Sequence, residues 1–420
     1  MTPARAAPLK RIWIWTAVIL VLGFIVRLCL LLYAPPENQG QEPVRIAVSL
    51  VNSGRYADAY GENVGPTAHC APLLPLIVSV PIRIFGAGAE STMPICLLES
   101  AVASLAFALL PVLAMAIGIG LRSGVVAGIV GALLPVNYWV QSGSPFDAPY
   151  TAVALVVLCI LLCGVWRRSA FGLKEGAVFG TVAGIGCLMS PALIPVLAGW
   201  AALSLFVFRA KARSVLRFLA AALLCAVVVL LPWAIRNRIA LGSTIWTRSN
   251  FGLELRVSNN DVVTADLERN VRMKDFASLH PLLSEQLRDR IRHVGEVEFM
   301  HEMKRDALAW IASHKHQFLL LTAERFRLYW LPRMRRTSQS LFEAALTAAG
   351  LGGLVLLWRR QRQSAWLLGT VLVTYPLVYY IIQASPRYRF PVECLLFVLA
   401  AASLEAIARH FTAQKGLAPA

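Results

Sequence analysis

The sequence predicts an all-α membrane protein of about ten transmembrane helices, with helices lying at the interface in its first outer loop and a small helical segment on the same outer side. Three observations carry this. Of 420 residues, 57% are hydrophobic and 15% charged, which is too apolar for a water-soluble chain of this length. The apolar residues fall in long runs with little or no charge, such as 12–32, which holds the single charge of Arg27, and 218–233, close to the roughly 20 residues that one helical bilayer crossing needs. The net charge of +17 comes from arginines at the ends of those runs. They form no single patch interleaved with stacking aromatics, so the charge reflects topology and does not point to a nucleic-acid partner.

Taken in order, the spans are 12–33, 92–118, 123–141, 149–166, 176–189, 191–208, 215–234, 340–358, 364–383 and 391–408. The first run is expected to stay in the protein, because it exceeds the apolar core of a signal peptide and lacks a small-residue cleavage site. With Arg5, Lys10 and Arg11 in the cytoplasm, alternation places Arg122, Arg167, Arg168, Lys174 and the basic clusters 209–217 and 359–362 on that same side, and both termini with them. The run 72–85 is short and rich in proline. Counting it as a crossing would invert every later loop, so it is laid in the interface. Glycines at 176, 180 and 184 recur every fourth residue and predict close approach of another helix. Gly350-Leu351-Gly352-Gly353 lies in an apolar helix and follows no strand, so it is no dinucleotide turn. The eight cysteines show no metal-type spacing and lie mostly inside apolar runs, as small core residues do.

Three polar stretches face outward: 34–71, 141–149 and 236–339. In the first, Val44, Ile46, Ala47, Leu50 and Val51 share one face of an amphipathic helix. In the third, Leu283, Leu287, Ile291, Val294, Leu308 and Ile311 keep helical spacing among many charges, which predicts a helical cap. These outer stretches also collect the chemistry. Glu42 stands directly before Pro43, on the same side as Glu37, Asp58 and Glu62, and Asp147 ends the turn Ser144-Pro145-Phe146-Asp147. Arg236-Asn237 and Arg387-Tyr388-Arg389 fall at outer boundaries, where the charge rule disfavours arginine. A bound phosphate is a natural counter-ion for them, and snorkelling to headgroups or pairing with outer acids is the plain alternative. The spans are nearly free of acids. Glu99, within the span 92–118, is either a packing residue or a cavity residue.

The stretches Glu42-Pro43-Val44-Arg45-Ile46-Ala47, Gly54-Arg55-Tyr56, Gly65-Pro66-Thr67-Ala68-His69-Cys70-Ala71-Pro72 and Ile84-Phe85-Gly86, followed by Pro232-Trp233 with Arg236-Asn237 and by Arg387-Tyr388-Arg389 with Pro391, resemble in content and order the GT-C glycosyltransferases. That superfamily includes the protein O-mannosyltransferases and the aminoarabinose transferases of lipid A. The resemblance implies a GT-C-like multi-helix fold and inverting transfer of a sugar from a polyprenyl-phosphate donor. The acceptor would be an envelope lipid, glycan or protein at the periplasmic face of a bacterial inner membrane. Carried to this chain, Glu42 takes the role of base and Asp147 that of the second outer acid. The two carboxylates are also the candidate ligands of a divalent cation, Mg or Mn. Arg236, Arg387 and Arg389 would hold the donor phosphate, with His69, Tyr388 and Asn237 as substrate contacts. Where many such enzymes place Asp about seven residues before the Ile-Ala pair, this chain has Gln39 and Gly40, and Glu42 is the nearer acid. The chain then divides into a membrane catalytic module, 1–235, with its first outer loop at 34–91, an outer segment, 236–339, and C-terminal membrane helices, 340–420. Two other classes stay open: a flippase or transporter for a lipid-linked sugar, which would want ionisable groups at the midplane, and a non-catalytic relative that binds such a lipid.

Overall fold

The computed structural model describes residues 3–36, 41–137, 139–333 and 336–414. Among them regular structure is helical throughout, and extended pairing is limited to two isolated bridges, Ala57 with Pro66 and Asp266 with Ala384. Seven helices are long and apolar enough to cross a bilayer: Lys10–Tyr33, Ala89–Ile117, Asp147–Arg168, Arg209–Leu241, Thr337–Arg360, Arg362–Ile381 and Pro386–Thr412. The other three predicted spans hold shorter helices, Leu121–Leu133, Leu173–Met189 and Pro191–Val207. At 1.5 Å per residue the first of these reaches only roughly 20 Å, short of a full hydrocarbon core.

Close helix packing follows the glycines. Leu173–Met189 lies along Ala212–Leu241, and a Cβ added at Gly176 or Gly180 would collide with the Phe218 and Ala222 carbonyls. At Gly184 it would come within 2.9 Å of Val229 Cβ. The same device seats Thr337–Arg360 on the last helix, where Gly350 and Gly353 face Leu396 and Leu399. Interlocking aromatic rings, among them Phe107, Trp166, Trp200, Phe218 and Phe390, fill the core between the helices.

The two larger outer stretches fold together. Ile46, Tyr56, Tyr60 and Ala68 from the first share one core with Leu253, Phe276, Ile291 and Phe299 from the third, and Leu188 and Trp233 at the ends of membrane helices complete it. The outer segment is therefore a helical cap, built from Phe251–Ser258, Leu267–Val271, Glu285–Val294, Glu296–Ser313 and Lys315–Trp330, that shares its interior with the bundle. The predicted junction at 235/236 falls inside a helix. Ala212–Leu241 continues until Gly242, whose positive φ of 72° ends it. Thr337–Arg360 likewise starts before residue 340. The interfacial reading of 72–85 corresponds to the helix Leu73–Phe85, which buries Leu74, Val78 and Ile82 against Ala47 and Met189 and leaves Leu76, Val80, Ile84 and Phe85 exposed.

The membrane helices hold more ionisable groups than their sequence pattern suggests. Arg27 is fully buried and donates to the Gly23 and Ala132 carbonyls and to Gln141 Oε1, with its guanidinium 5.4 Å from the Phe107 ring centroid. Because Ala132 lies in the last turn of Leu121–Leu133, Arg27 satisfies a carbonyl that a helix end leaves without a partner. Glu99 is buried and accepts the Tyr150 hydroxyl on Oε1 at 2.9 Å, while its Oε2 has no partner among the described residues.

Candidate active site

Glu42 is the first residue of the helix Glu42–Ser53, followed by Pro43, which is pre-set for a first turn and has no amide to leave unbonded. The carboxylate therefore sits at the positive end of the helix dipole. Gln41 Nε2 donates to Ser144 Oγ at 3.2 Å, which lays this helix start against the second outer turn. Three residues on, Asp147 opens the helix Asp147–Arg168 in the same way. The two predicted acids thus begin two helices whose starts touch.

Groups from the cap and the last helix close around them. His280 Nε2 lies 3.8 Å from Glu42 Oε1, and Arg248 lies 3.9 Å from Asp147 Oδ2. His280 Nδ1 accepts the Leu282 amide at 3.2 Å, so the ring proton is on the nitrogen that faces Glu42. Both distances are too long for hydrogen bonds, and the four side chains keep 16–28% of their surface accessible, which describes a cleft with room between its walls. Arg387 reaches in from the start of the last helix. Its guanidinium lies 5.1 Å from the Phe146 ring and 4.7 Å from the Tyr388 ring, and it donates to Tyr388 Oη at 2.7 Å. Its nearest acids, Glu254 and Asp147, act from beyond ion-pair distance among the described residues, and its Nε has no partner. Tyr388 stacks on Tyr379 at 4.4 Å and so holds this arginine in place.

The electrostatics favour an ionised base. Burial alone would raise the Glu42 carboxyl, but His280, His69 once protonated at acid pH, a backbone amide at its own helix start and Arg387 together outweigh it and hold it below the usual carboxylate range. His69 is pushed down to about 4, chiefly by burial, and is a neutral ring near pH 7. The buried Tyr60 hydroxyl lies 2.6 Å from His69 Nδ1 and keeps its proton, because burial first, then Glu296 and Glu42, raise it well above its ordinary value. That hydroxyl donates to Nδ1, so the His69 ring proton sits on Nε2. Burial also works against the charge of Arg248, but Asp147, Tyr379 and Glu254 outweigh it.

Glu296 holds the walls at their spacing. Its buried carboxylate accepts the Ala68 amide at 2.7 Å, the Ser249 hydroxyl at 2.6 Å and the Thr67 hydroxyl. One side chain thereby ties the residue before His69 to the residue after Arg248. Burial pushes this carboxyl up, against the pull of those three donors and of Arg236.

Of the predicted residues, Glu42, Asp147, Arg387, Tyr388 and His69 converge, and three do not. Arg236 spends its donors on the Thr67 carbonyl at 2.6 Å and the Tyr56 carbonyl, and packs between the Tyr56 and Trp233 rings at 5.2 and 5.1 Å, so it clamps the first outer loop. Asn237 is buried and donates to the Ile245 carbonyl at 2.8 Å, which fixes the turn after its helix. Arg389 is 1% exposed, lies 3.0 Å from Glu343 and 3.4 Å from Glu393, and bonds the Trp330 carbonyl and the Thr347 hydroxyl. It is a bundle residue whose charge faces two buried acids and whose terminal nitrogens are engaged by neighbouring oxygens. Glu37 lies outside the described residues. Arg248, His280, Glu254 and Glu296 were not predicted, because the outer segment carries so many charges that none stands out by type or spacing. The Glu42 and Asp147 carboxylates each face a positively polarised group, and among the described residues no three His, Cys, Asp or Glu side chains are grouped to hold a metal.

No protein-family model and no curated protein sequence matches the chain. Its fold, however, is shared with solved membrane enzymes. It superposes on the oligosaccharyltransferase AglB of Archaeoglobus fulgidus, in complex with an inhibitory peptide and a dolichol-phosphate, with a TM-score of 0.56 at 13% identity. The match covers 96% of this chain and 51% of that one, so this chain spans about half the length of the neighbour. The form of the Archaeoglobus fulgidus oligosaccharyltransferase tethered to an acceptor peptide gives 0.57 at 15% identity, covering 96% and 51%. ArnT from Cupriavidus metallidurans, bound to undecaprenyl phosphate, gives 0.41 at 13% identity, covering 95% and 78%. The chain shares the fold of these oligosaccharyltransferases, and its seven long apolar helices make it a multi-pass membrane protein.

Proposed function

We propose that this protein is an inverting glycosyltransferase that moves a sugar from a polyprenyl-phosphate carrier to an envelope lipid, glycan or protein acceptor, on the non-cytoplasmic face of a bacterial inner membrane. The observation that carries the reading is the pairing, in one cleft, of a carboxylate held ionised at a helix start with an arginine that has no acid of its own. The AglB neighbour, which was solved with a dolichol-phosphate, supports the class of donor.

In this reading the acceptor oxygen attacks the anomeric carbon from the side opposite the phosphate. Glu42 takes the acceptor proton as the bond between sugar and phosphate breaks, and no covalent intermediate forms. The phosphate leaves with the bonding electrons, held by Arg387 from the last helix and by Arg248 from the cap. Asp147 keeps Arg248 turned toward the cleft, and the neutral His69 offers an Nε2 proton to a substrate oxygen. The aromatic wall of Phe146, Tyr379 and Tyr388 keeps water from the guanidinium of Arg387.

The test is sugar transfer in membranes from a radiolabelled polyprenyl-phosphate sugar. Glu42→Gln should lower transfer by about 10²–10⁴-fold at unchanged protein level, the range a positioned general base supplies. Asp147→Asn should lower it less, because it loosens an arginine and leaves the base in place. Full transfer by Glu42→Gln would remove that residue as base.

A further inference from the structure

The cap helix Lys315–Trp330 has three faces. At 100° per residue, Leu319, Leu320 and Phe326 fall within an arc of about 120°. All three are more than half exposed. A second face carries Arg325, fully buried and bonded to Asn259 Oδ1 and the Ile381 carbonyl, each at 3.1 Å. Between them a third face, with Gln317, Leu321, Glu324 and Leu328, lines an open cavity of about 360 Å³ opposite the segment 263–269. None of the residues that form the Glu42 cleft lines it.

Its position relative to the membrane is fixed by two helix starts. Arg333 lies on its rim, four residues before the membrane helix Thr337–Arg360. Its lining residues Ala265 and Leu328 pack with Ala384 behind them, and Ala384 lies two residues before the last membrane helix begins. The cavity therefore opens at the level where membrane helices enter the bilayer, beside apolar side chains that water would not favour.

The charges at the rim leave positive groups uncommitted. Glu324 is engaged by Arg327 through two bonds of 2.6 and 2.7 Å, and Arg333 stands off at 3.8 Å. The Asp266 carboxylate caps a helix by accepting the Glu268 and Arg269 amides. Arg269 has no ion-pair partner among the described residues and is exposed. We infer that this cavity is a lipid site, in which Arg269 and Arg333 hold the phosphate of an anionic glycerophospholipid of the adjacent leaflet and Leu320, Leu321 and Leu328 receive the start of its chains. The volume suits a headgroup and its glycerol, and the open side lets the chains run into the bilayer. The phosphate is the anion that two arginines recognise best, and polybasic sites at membrane surfaces draw such lipids. The site is separate from sugar transfer and stands whether or not the transferase reading holds. It is joined to the segment before the candidate active site, because Ala384 bonds Ala265 and Leu267 at 2.8 and 2.9 Å just before the turn that delivers Arg387.

The experiment is native mass spectrometry of the full chain in detergent, with phosphatidylglycerol, phosphatidylcholine or inorganic phosphate added. The expected result is one phosphatidylglycerol retained with about ten-fold preference over phosphatidylcholine, lost in Arg269→Ala/Arg333→Ala and also in Gln317→Trp, which fills the cavity and spares both arginines. Equal retention of the two lipids by the unaltered protein overturns the proposal with no variant needed. So does a phosphatidylglycerol adduct that survives both variants, or one that inorganic phosphate displaces at millimolar concentration, which would make the site one for the free anion.

Discussion

Arg387 and Arg389 lie two residues apart on one helix and end in opposite surroundings. Two helical steps turn a side chain by about 200°, so one guanidinium faces the cleft and the other faces the bundle. Arg387 is half-buried, flanked by the Phe146 and Tyr388 rings, with no carboxylate at ion-pair distance among the described residues. Arg389 is sealed between Glu343 and Glu393 with four oxygens of neighbouring residues around it. An arginine walled by aromatic rings keeps its charge available for a ligand, whereas one walled by acids has its charge spent on the fold. Arg236 makes the same point at the other end of the cleft, where backbone carbonyls of the first outer loop consume its donors.

The sharpest way to break that contrast is to remove each arginine in turn. Arg389→Ala leaves two buried carboxylates facing each other and should cost about 3–5 kcal/mol, seen as loss of folded protein and a lower melting temperature in detergent. Arg387→Ala should leave the melting temperature nearly unchanged and weaken binding of a polyprenyl phosphate by about ten- to a hundred-fold, measured directly on purified protein. Equal loss of fold in both variants would erase the distinction. Next in size is Glu296→Ala, which strands the Thr67 hydroxyl, the Ala68 amide and the Ser249 hydroxyl and should destabilise by about 2–3 kcal/mol, with Glu296→Gln recovering most of it.

The smallest effect is a pH slope. His69 is neutral in the fold, with its pKa lowered to about 4 from 6.5, so the unfolded chain takes up a proton that the folded one refuses. Its contribution is whole above about pH 6.5 and is lost as the pH falls toward about 4. The melting temperature should therefore drop across that window, and His69→Asn should flatten the drop. Transfer activity, by contrast, should hold until the pH falls below the ordinary carboxylate range, because Glu42 stays ionised there.

The parts of the site legible in sequence were those that begin helices. Glu42 before Pro43 and Asp147 before an apolar run announce helix starts, and both residues are found at helix starts. Arg248 and His280 gave no such signal. Each lies in irregular backbone within a segment crowded with charge, and only folding of the cap against the first outer loop brings them to within 4 Å of the two acids. Arg236 and Arg389 were legible as boundary arginines and misleading for the same reason, since a boundary position does not say which way a side chain turns.

By itself the amino-acid sequence determined that this chain is a helical membrane protein and where its polar connections fall, because both follow from one-dimensional apolar runs and the charges that end them. Tertiary structure alone decided which cations serve the cleft. A guanidinium is free or spent according to what packs around it, and those neighbours come from helices and loops far away in the chain.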